Sequence, residues 1–159
     1  MLLGPSPEPA ITADFWRIKN ELNDNPDCHL ELRFDAELAH LVYAGADLLV
    51  VPSHFEPCGL VQMIAMKYGT VPVVRSTGGL ADTVFDRDYS TQPVEARNGY
   101  VFHHTDDAAL DSALRRALRL WHDDPDEFRK LILNGMRYDY SWNKPGHHYL
   151  EIYDSIRHK

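Results

Sequence analysis

"DLLVVPSHFEPCGLVQMIAMKYGTVPVVRSTGGL" (residues 47–80) decides the fold. An apolar run, "LLVV" (48–51), stops at Pro52, and a polar loop carrying Glu56 and Cys58 leads into a helical pattern over 59–68. A β-branched run, "VPVVR" (71–75), follows at once and gives way to Ser-Thr-Gly-Gly, which opens another short helix. Continuous apolar runs of this length mark strands buried on both faces, and strand–helix–strand succession makes a βαβ unit with parallel pairing. Ligands of open α/β sheets sit in the crevice at the carboxyl ends of the strands. The loops "PSHFEPCGL" and "RSTGGL" occupy two consecutive strand ends, so they are expected side by side at one edge of the sheet.

The flanking sequence repeats the alternation. "MLLG" at the start reads as a strand end cut short, and residues 9–23 place Ile11, Phe15, Ile18 and Leu22 on one helical face. "CHLELRF" (28–34) alternates like a strand, Asp35 is placed to cap a helix over 36–46, and "NGYVF" (98–102) reads as an edge strand. Helices are predicted over 106–122, 125–138 and about 144–157, the last after a break at "YSWNKPG". The expected fold class is therefore α/β: a Rossmann-like parallel sheet with flanking helices. A length of 159 residues fits one domain with a sizeable core.

Composition excludes several partners. Sixteen Lys and Arg against 24 Asp and Glu give a formal charge of −8, with the basic residues scattered, which argues against nucleic acid or an anionic membrane surface. No apolar stretch approaches the roughly 20 residues of a membrane span, and no charged-then-apolar leader opens the chain. Two cysteines, Cys28 and Cys58, without CxxC spacing, point to a reducing compartment.

The chemistry sits at the strand ends. The amides of Gly59, Leu60 and Val61 are expected in the first helical turn, unpaired within the helix and aided by its dipole, an arrangement suited to a diphosphate. Gly59 has no Cβ to hold a phosphate away, and Gly78 and Gly79 allow similar close approach in the second loop. A carboxylate beside phosphate is repelled, so Glu56 is better suited to a neutral polyol. Simpler readings stand beside these: a glycine before a helix is also a plain turn, and a loop glutamate is often only solvated. Cys58 reads as packing rather than nucleophile, because the sequence places no His or Asn partner for it. Asp86-Arg87-Asp88 has the DxD form that can hold a metal–diphosphate, but its polar surroundings favour a solvated loop. His103-His104 and His147-His148 are adjacent pairs whose side chains diverge, so no metal site is expected. Trp16, Trp121 and Trp142 read as core or helix-packing residues; Tyr138, Tyr140 and Trp142 form either core or a sugar-stacking surface.

"EPCGLVQMIAMKYGTVPVVRSTGGLADTVFD" resembles the starch and bacterial glycogen synthases, and "AHLVYAGADLLVVPSHFEPCGL", "NGYVF" and "YSWNKPGHHYLEIYDSIRHK" carry the resemblance over essentially the whole chain. It implies the C-terminal, nucleotide-sugar-binding domain of a two-domain GT-B glycosyltransferase, partial and truncated at its N-terminal side, spanning 1–159. The family transfers glucose from ADP-glucose (UDP-glucose in some members) to the non-reducing end of an α-1,4-glucan with retention, using no metal and no cofactor beyond the donor. By resemblance Glu56 is the catalytic carboxylate and Cys58 its motif neighbour. Gly59 and Leu60 match the amides that meet the diphosphate. Val61 replaces a common Thr, losing a hydroxyl but not an amide. Phe34 takes the place of the aromatic that stacks on the base, and Thr77, Gly78 and Gly79 match the loop beside the transferred sugar. The implied partners are ADP-glucose or ADP, an α-1,4-glucan acceptor and an absent N-terminal catalytic domain with its Lys-containing glycine loop. The early part of the C-terminal domain, which in the family contributes a basic pair to the donor phosphates, is likewise expected to be missing. The implied setting is the cytoplasm of a photosynthetic bacterium, or the plastid stroma for a plant protein. Without those cations the chain alone is expected to fold but not to transfer glucose, and a free-standing nucleotide- or glucan-binding module is the competing reading. The last helix, with Tyr149, Leu150, Ile152, Tyr153 and Ile156, is expected to fold onto its own sheet or pair with a second copy.

Overall fold

The computed structural model describes residues 1–6, 8–22 and 24–157, without the Lys144 side chain. The backbone divides into two compact units, Met1–Gly45 and Ala46–Lys159. All strand pairing in both is parallel.

In the first unit, β1 (Leu2–Leu3) pairs with β2 (Leu30–Glu31), and helices α1 (Pro9–Leu22) and α2 (Ala36–Gly45) accompany them. The predicted strand 28–34 is reduced to two residues. Its partner explains this: Gly4 N donates to Glu31 O at 3.0 Å, and Pro5, which has no N–H, ends the ladder. In α1 Phe15, Ile18 and Leu22 are half-buried as the periodicity predicts, whereas Ile11 is exposed. Asp35 caps α2 as expected, its Oδ1 accepting from Leu38 N at 2.9 Å.

The second unit holds the expected core. β3 (Leu48–Val51), β4 (Val71–Arg75) and β5 (Tyr100–Phe102) form a sheet in that order, with β4 central and β3 and β5 at its edges. Val51 is buried but Val50 is exposed, so the run 48–51 is not the fully buried strand its continuous apolar character predicts. Val71, Val73 and Val74 are fully buried because β4 is covered on both faces. On one face Val71, Val73, Tyr100 and Phe102 pack against α5 (Asp107–Asp123) and α6 (Pro125–Arg137) through Ala113, Ala117, Phe128 and Leu131. On the other, Val51 and Val74 meet Met66 of α3 (Val61–Tyr68), Leu80 of α4 (Gly78–Thr83), and Val84. Gly69 ends α3 at φ 92°, a left-handed cap that turns the chain straight into β4. Asp106 and Asp124 cap α5 and α6 by accepting from Ala109 N and Glu127 N.

Four sequence expectations are corrected here. Asp86 is not part of a solvated loop: it is 7% exposed, and its carboxylate accepts from Val101 N at 2.6 Å, Asp88 N at 2.9 Å, and both Nη atoms of Arg116 at 2.9 and 3.0 Å. Asp88 also binds Arg116, at 2.7 Å, so the acidic pair is consumed by an internal cation. Among the described residues no group of three His, Cys, Asp or Glu could hold a metal ion. Trp16, Trp121 and Trp142 are exposed rather than core. Trp121 lies one turn past Ala117, where the buried stripe of α5 has ended, and Trp142 stacks on Tyr149 with ring centroids 5.8 Å apart. Tyr140 alone of its aromatic trio reaches the core, its hydroxyl donating to Thr83 O at 2.9 Å. Finally, α7 (Asn143–Arg157) does not fold onto the sheet: Tyr149, Leu150, Ile152, Tyr153 and Ile156 all remain exposed. No helix among the described residues is long and apolar enough to cross a membrane.

Candidate functional site

The loop after β3 (52–60) and the turn after β4 (76–77) meet at the carboxyl edge of the sheet. Gly79 N donates to Glu56 O at 3.1 Å. A Cβ on Gly78 would overlap the Glu56 carbonyl oxygen, and one on Gly79 would overlap that of Cys58. Glycine at both positions is what allows the two backbones to touch. Gly78 also lies at φ 45°.

Glu56 is half-buried, and Ser53 Oγ donates to its Oε2 at 3.2 Å. Arg75, the last residue of β4, donates from Nη1 to Ser53 O at 3.1 Å and His54 O at 2.9 Å, tying the loop to the strand end. The sequence reading missed both residues, although an arginine closing the run "VPVV" is a signal that the strand ends at a polar edge.

Helix α3 begins two residues later than predicted. Gly59 stands at φ 69° and Leu60 is the N-cap, so the amides ahead of the first intrahelical bond (Ile64 N to Leu60 O, 2.9 Å) are those of Val61, Gln62 and Met63. No side chain caps them, which leaves the positive end of the helix open to an anion. The left-handed glycine is the reason for the shift, since φ at Gly59 is incompatible with the helix. Gly59 is buried, Cys58 and Leu60 are exposed, and Val61 packs partly against the α3–α4 core. Thr77 precedes α4 with its carbonyl accepting from Leu80 N at 3.1 Å. The structure thus brings together Glu56, Cys58, Gly59, Leu60, Val61, Thr77, Gly78 and Gly79. Phe34 lies in the first unit, 81% exposed, with its ring open to stacking.

A concavity of about 690 Å³ lies elsewhere, between Arg87–Tyr89 and α5. Of its cations, Arg116 is paired with Asp86 and Asp88, Arg115 with Asp111 and Arg87 with Asp88.

Parallel βα units with glycine-lined loops at consecutive strand ends define a Rossmann-like ligand-binding fold. The chain belongs to the family described as Glycosyl transferases group 1, which matches residues 17–134. It is 66% identical over its whole length to glycogen synthase 1 of Synechococcus sp. (strain JA-3-3Ab) and 61% identical to glycogen synthase 2 of Methylococcus capsulatus. It spans about a third of the length of each. Among solved structures it is similar to the catalytic domain of starch synthase IV from Arabidopsis thaliana bound to ADP and acarbose, with TM-score 0.90 and 41% identity over 97% of this chain and 31% of that one. It also resembles sucrose-phosphate synthase from Thermosynechococcus elongatus, with TM-score 0.65 and 26% identity over 96% of this chain and 37% of that one.

Proposed function

We propose that these residues form most of the nucleotide-sugar-binding domain of a retaining α-1,4-glucan synthase that takes glucose from ADP-glucose. The observation that carries the reading is the contact between the Glu56 loop and the Gly78–Gly79 turn beside the uncapped start of α3. The names of the relatives, and the ADP and acarbose in the starch synthase structure, support the same donor and acceptor classes.

The chemistry follows from charge. As the glucose–phosphate bond breaks, the electron pair leaves with the diphosphate and positive charge develops on the sugar ring. The α3 amides and dipole face the first change, while Glu56, held by Ser53, faces the second. The acceptor hydroxyl then bonds to the anomeric carbon and loses its proton, the leaving phosphate being the natural proton acceptor. Thr77, Gly78 and Gly79 border the sugar, and Cys58 shapes the loop without attacking; Phe34 is the aromatic that the family resemblance assigns to the base. The 159 residues alone are inactive in this account, because the cations that would stabilise the leaving diphosphate and the acceptor surface are not among them. The amides and dipole of α3 supply only about millimolar ADP affinity, about −4 kcal/mol.

The test replaces the matching segment of the Synechococcus glycogen synthase with this chain and supplies labelled ADP-glucose, labelled UDP-glucose and glycogen. Incorporation from ADP-glucose by the chimera, with none by the isolated chain, is expected. A folded chimera that binds ADP without incorporating glucose would favour a binding module, and incorporation by the isolated chain would refute its inactivity.

A further inference from the structure

Gln62 is a fully buried polar side chain on the apolar face of α3, beside Ala65 and Met66. Its Nε2 donates to Gly59 O at 2.8 Å and to Thr83 Oγ1 at 3.0 Å, and Thr83 Oγ1 donates to Gly79 O at 2.6 Å. The carbonyl of Gly59 can only accept, so the amide nitrogen must face it. The hydrogens then balance: both Nε2 hydrogens and the single Thr83 hydroxyl hydrogen are used, while Gln62 Oε1 stays buried without a partner. A buried orphan acceptor is costly, and methionine in its place would avoid that cost.

The bonds close a loop. Gly79 holds Glu56 directly through its N–H and holds Gly59 through its carbonyl by way of Thr83 and Gln62. The segment from Glu56 to Gly59 is therefore pinned at both ends to one glycine of α4. We propose that Gln62 and Thr83 are positioning residues for the transfer reaction, a buried relay that fixes the Glu56 loop and the start of α3 against the Gly78–Gly79 turn. This rests on the proposed role of Glu56. Neither residue touches substrate; their effect passes through the backbone, where a misplacement of about 1 Å can cost roughly 100-fold in rate.

The test uses the chimera carrying the full chain, with Gln62→Met, Thr83→Val, the double variant and Thr83→Ser, and with Glu56→Gln in parallel. Turnover, donor KM and melting temperature are measured for each. Gln62→Met and Thr83→Val are each expected to lower kcat about tenfold or more, with a smaller change in donor KM and melting well above the assay temperature. The double variant is expected to be no worse than the worse single, since either change cuts the same relay. Thr83→Ser, which keeps the hydroxyl and drops the methyl, is expected to retain turnover. Single variants within about twofold of the parent kcat, losses that multiply in the double, or failure of Thr83→Ser would overturn the proposal. If Gln62→Met fails to fold, Thr83→Val decides: parent turnover overturns the relay and a tenfold loss supports it. Full turnover in Glu56→Gln would instead overturn the underlying site reading.

Discussion

Gly79→Ala tests whether contact between the two loops matters to function. The added methyl would lie 3.0 Å from Cys58 Cα and overlap the Cys58 carbonyl, both backbone atoms that no rotamer change can move. Ordinary carbon contacts begin near 3.4 Å, so the Pro57–Cys58 segment or α4 must retreat. Overpacking of this kind costs about 1–3 kcal/mol of stability. Its larger effect is on geometry: the hydrogen bond from Gly79 N to Glu56 O, now 3.1 Å, lies in the same contact and is lost or lengthened. A shift near 1 Å at a catalytic carboxylate lowers kcat by roughly 100-fold. The assay is glucose transfer by the chimera at saturating donor, with thermal melting run alongside. Gly146→Ala is the control, because no atom lies within 4 Å of its added methyl and the residue sits inside α7. That control should keep full turnover and gain up to about 1 kcal/mol from helix propensity. A folded Gly79→Ala enzyme with parent kcat and KM would refute the reasoning.

Two further predictions concern Asp86 and Cys58. Burial on its own would raise the Asp86 pKa, but the Arg116 guanidinium and the Val101 and Asp88 amides outweigh it and hold the carboxyl below its ordinary value. A depressed folded pKa adds stability that is present above the unfolded value, near pH 4, and is lost as pH falls through the folded value. Asp86→Asn should therefore flatten the acid limb of a melting-temperature profile, and at neutral pH it should cost about 1.5–3 kcal/mol by removing the more buried of the two carboxylates on Arg116, Asp88 remaining. An unchanged acid limb would show that Asp86 is not the titrating group. Cys58→Ser should retain measurable transfer, since the thiol is free and exposed and is given no nucleophilic role; complete inactivation with intact folding would contradict this.

How much of this was legible in the sequence depends on the range of the forces involved. The run 71–75 announced a buried parallel strand because its apolar character is continuous, and the adjacency of the two loops followed from parallel topology alone. The equally apolar run 48–51 forms a strand with Val50 exposed, because it lies at an edge of its sheet. Asp35 worked as a cap as expected because capping is local, and the same local signal at Asp106 and Asp124 went unread. What failed was non-local. Asp86 looked solvated because its partner, Arg116, lies thirty residues away on α5. β2 came out short because the length of its ladder was set by Pro5. The start of α3 moved by two residues because Gly59 took a left-handed φ that no periodicity reveals. At the site, Glu56 and the glycines were visible as residue types, whereas Ser53, Arg75, Gln62 and Thr83 were not, since their bonds exist only once the two loops have met. Gln62 left a trace as a polar residue on an otherwise apolar helical face, and Arg75 as a charge closing an apolar run.

The central claim is that Glu56 works on charge that develops only during transfer. Glu56→Gln in the chimera keeps the side chain's shape and its bond to Ser53, and removes only the negative charge. Steady-state kinetics with ADP-glucose and glycogen should show kcat reduced about 100-fold or more, with donor KM changed by less than about threefold. Equal losses in kcat and affinity, or a kcat near that of the parent, would contradict the account.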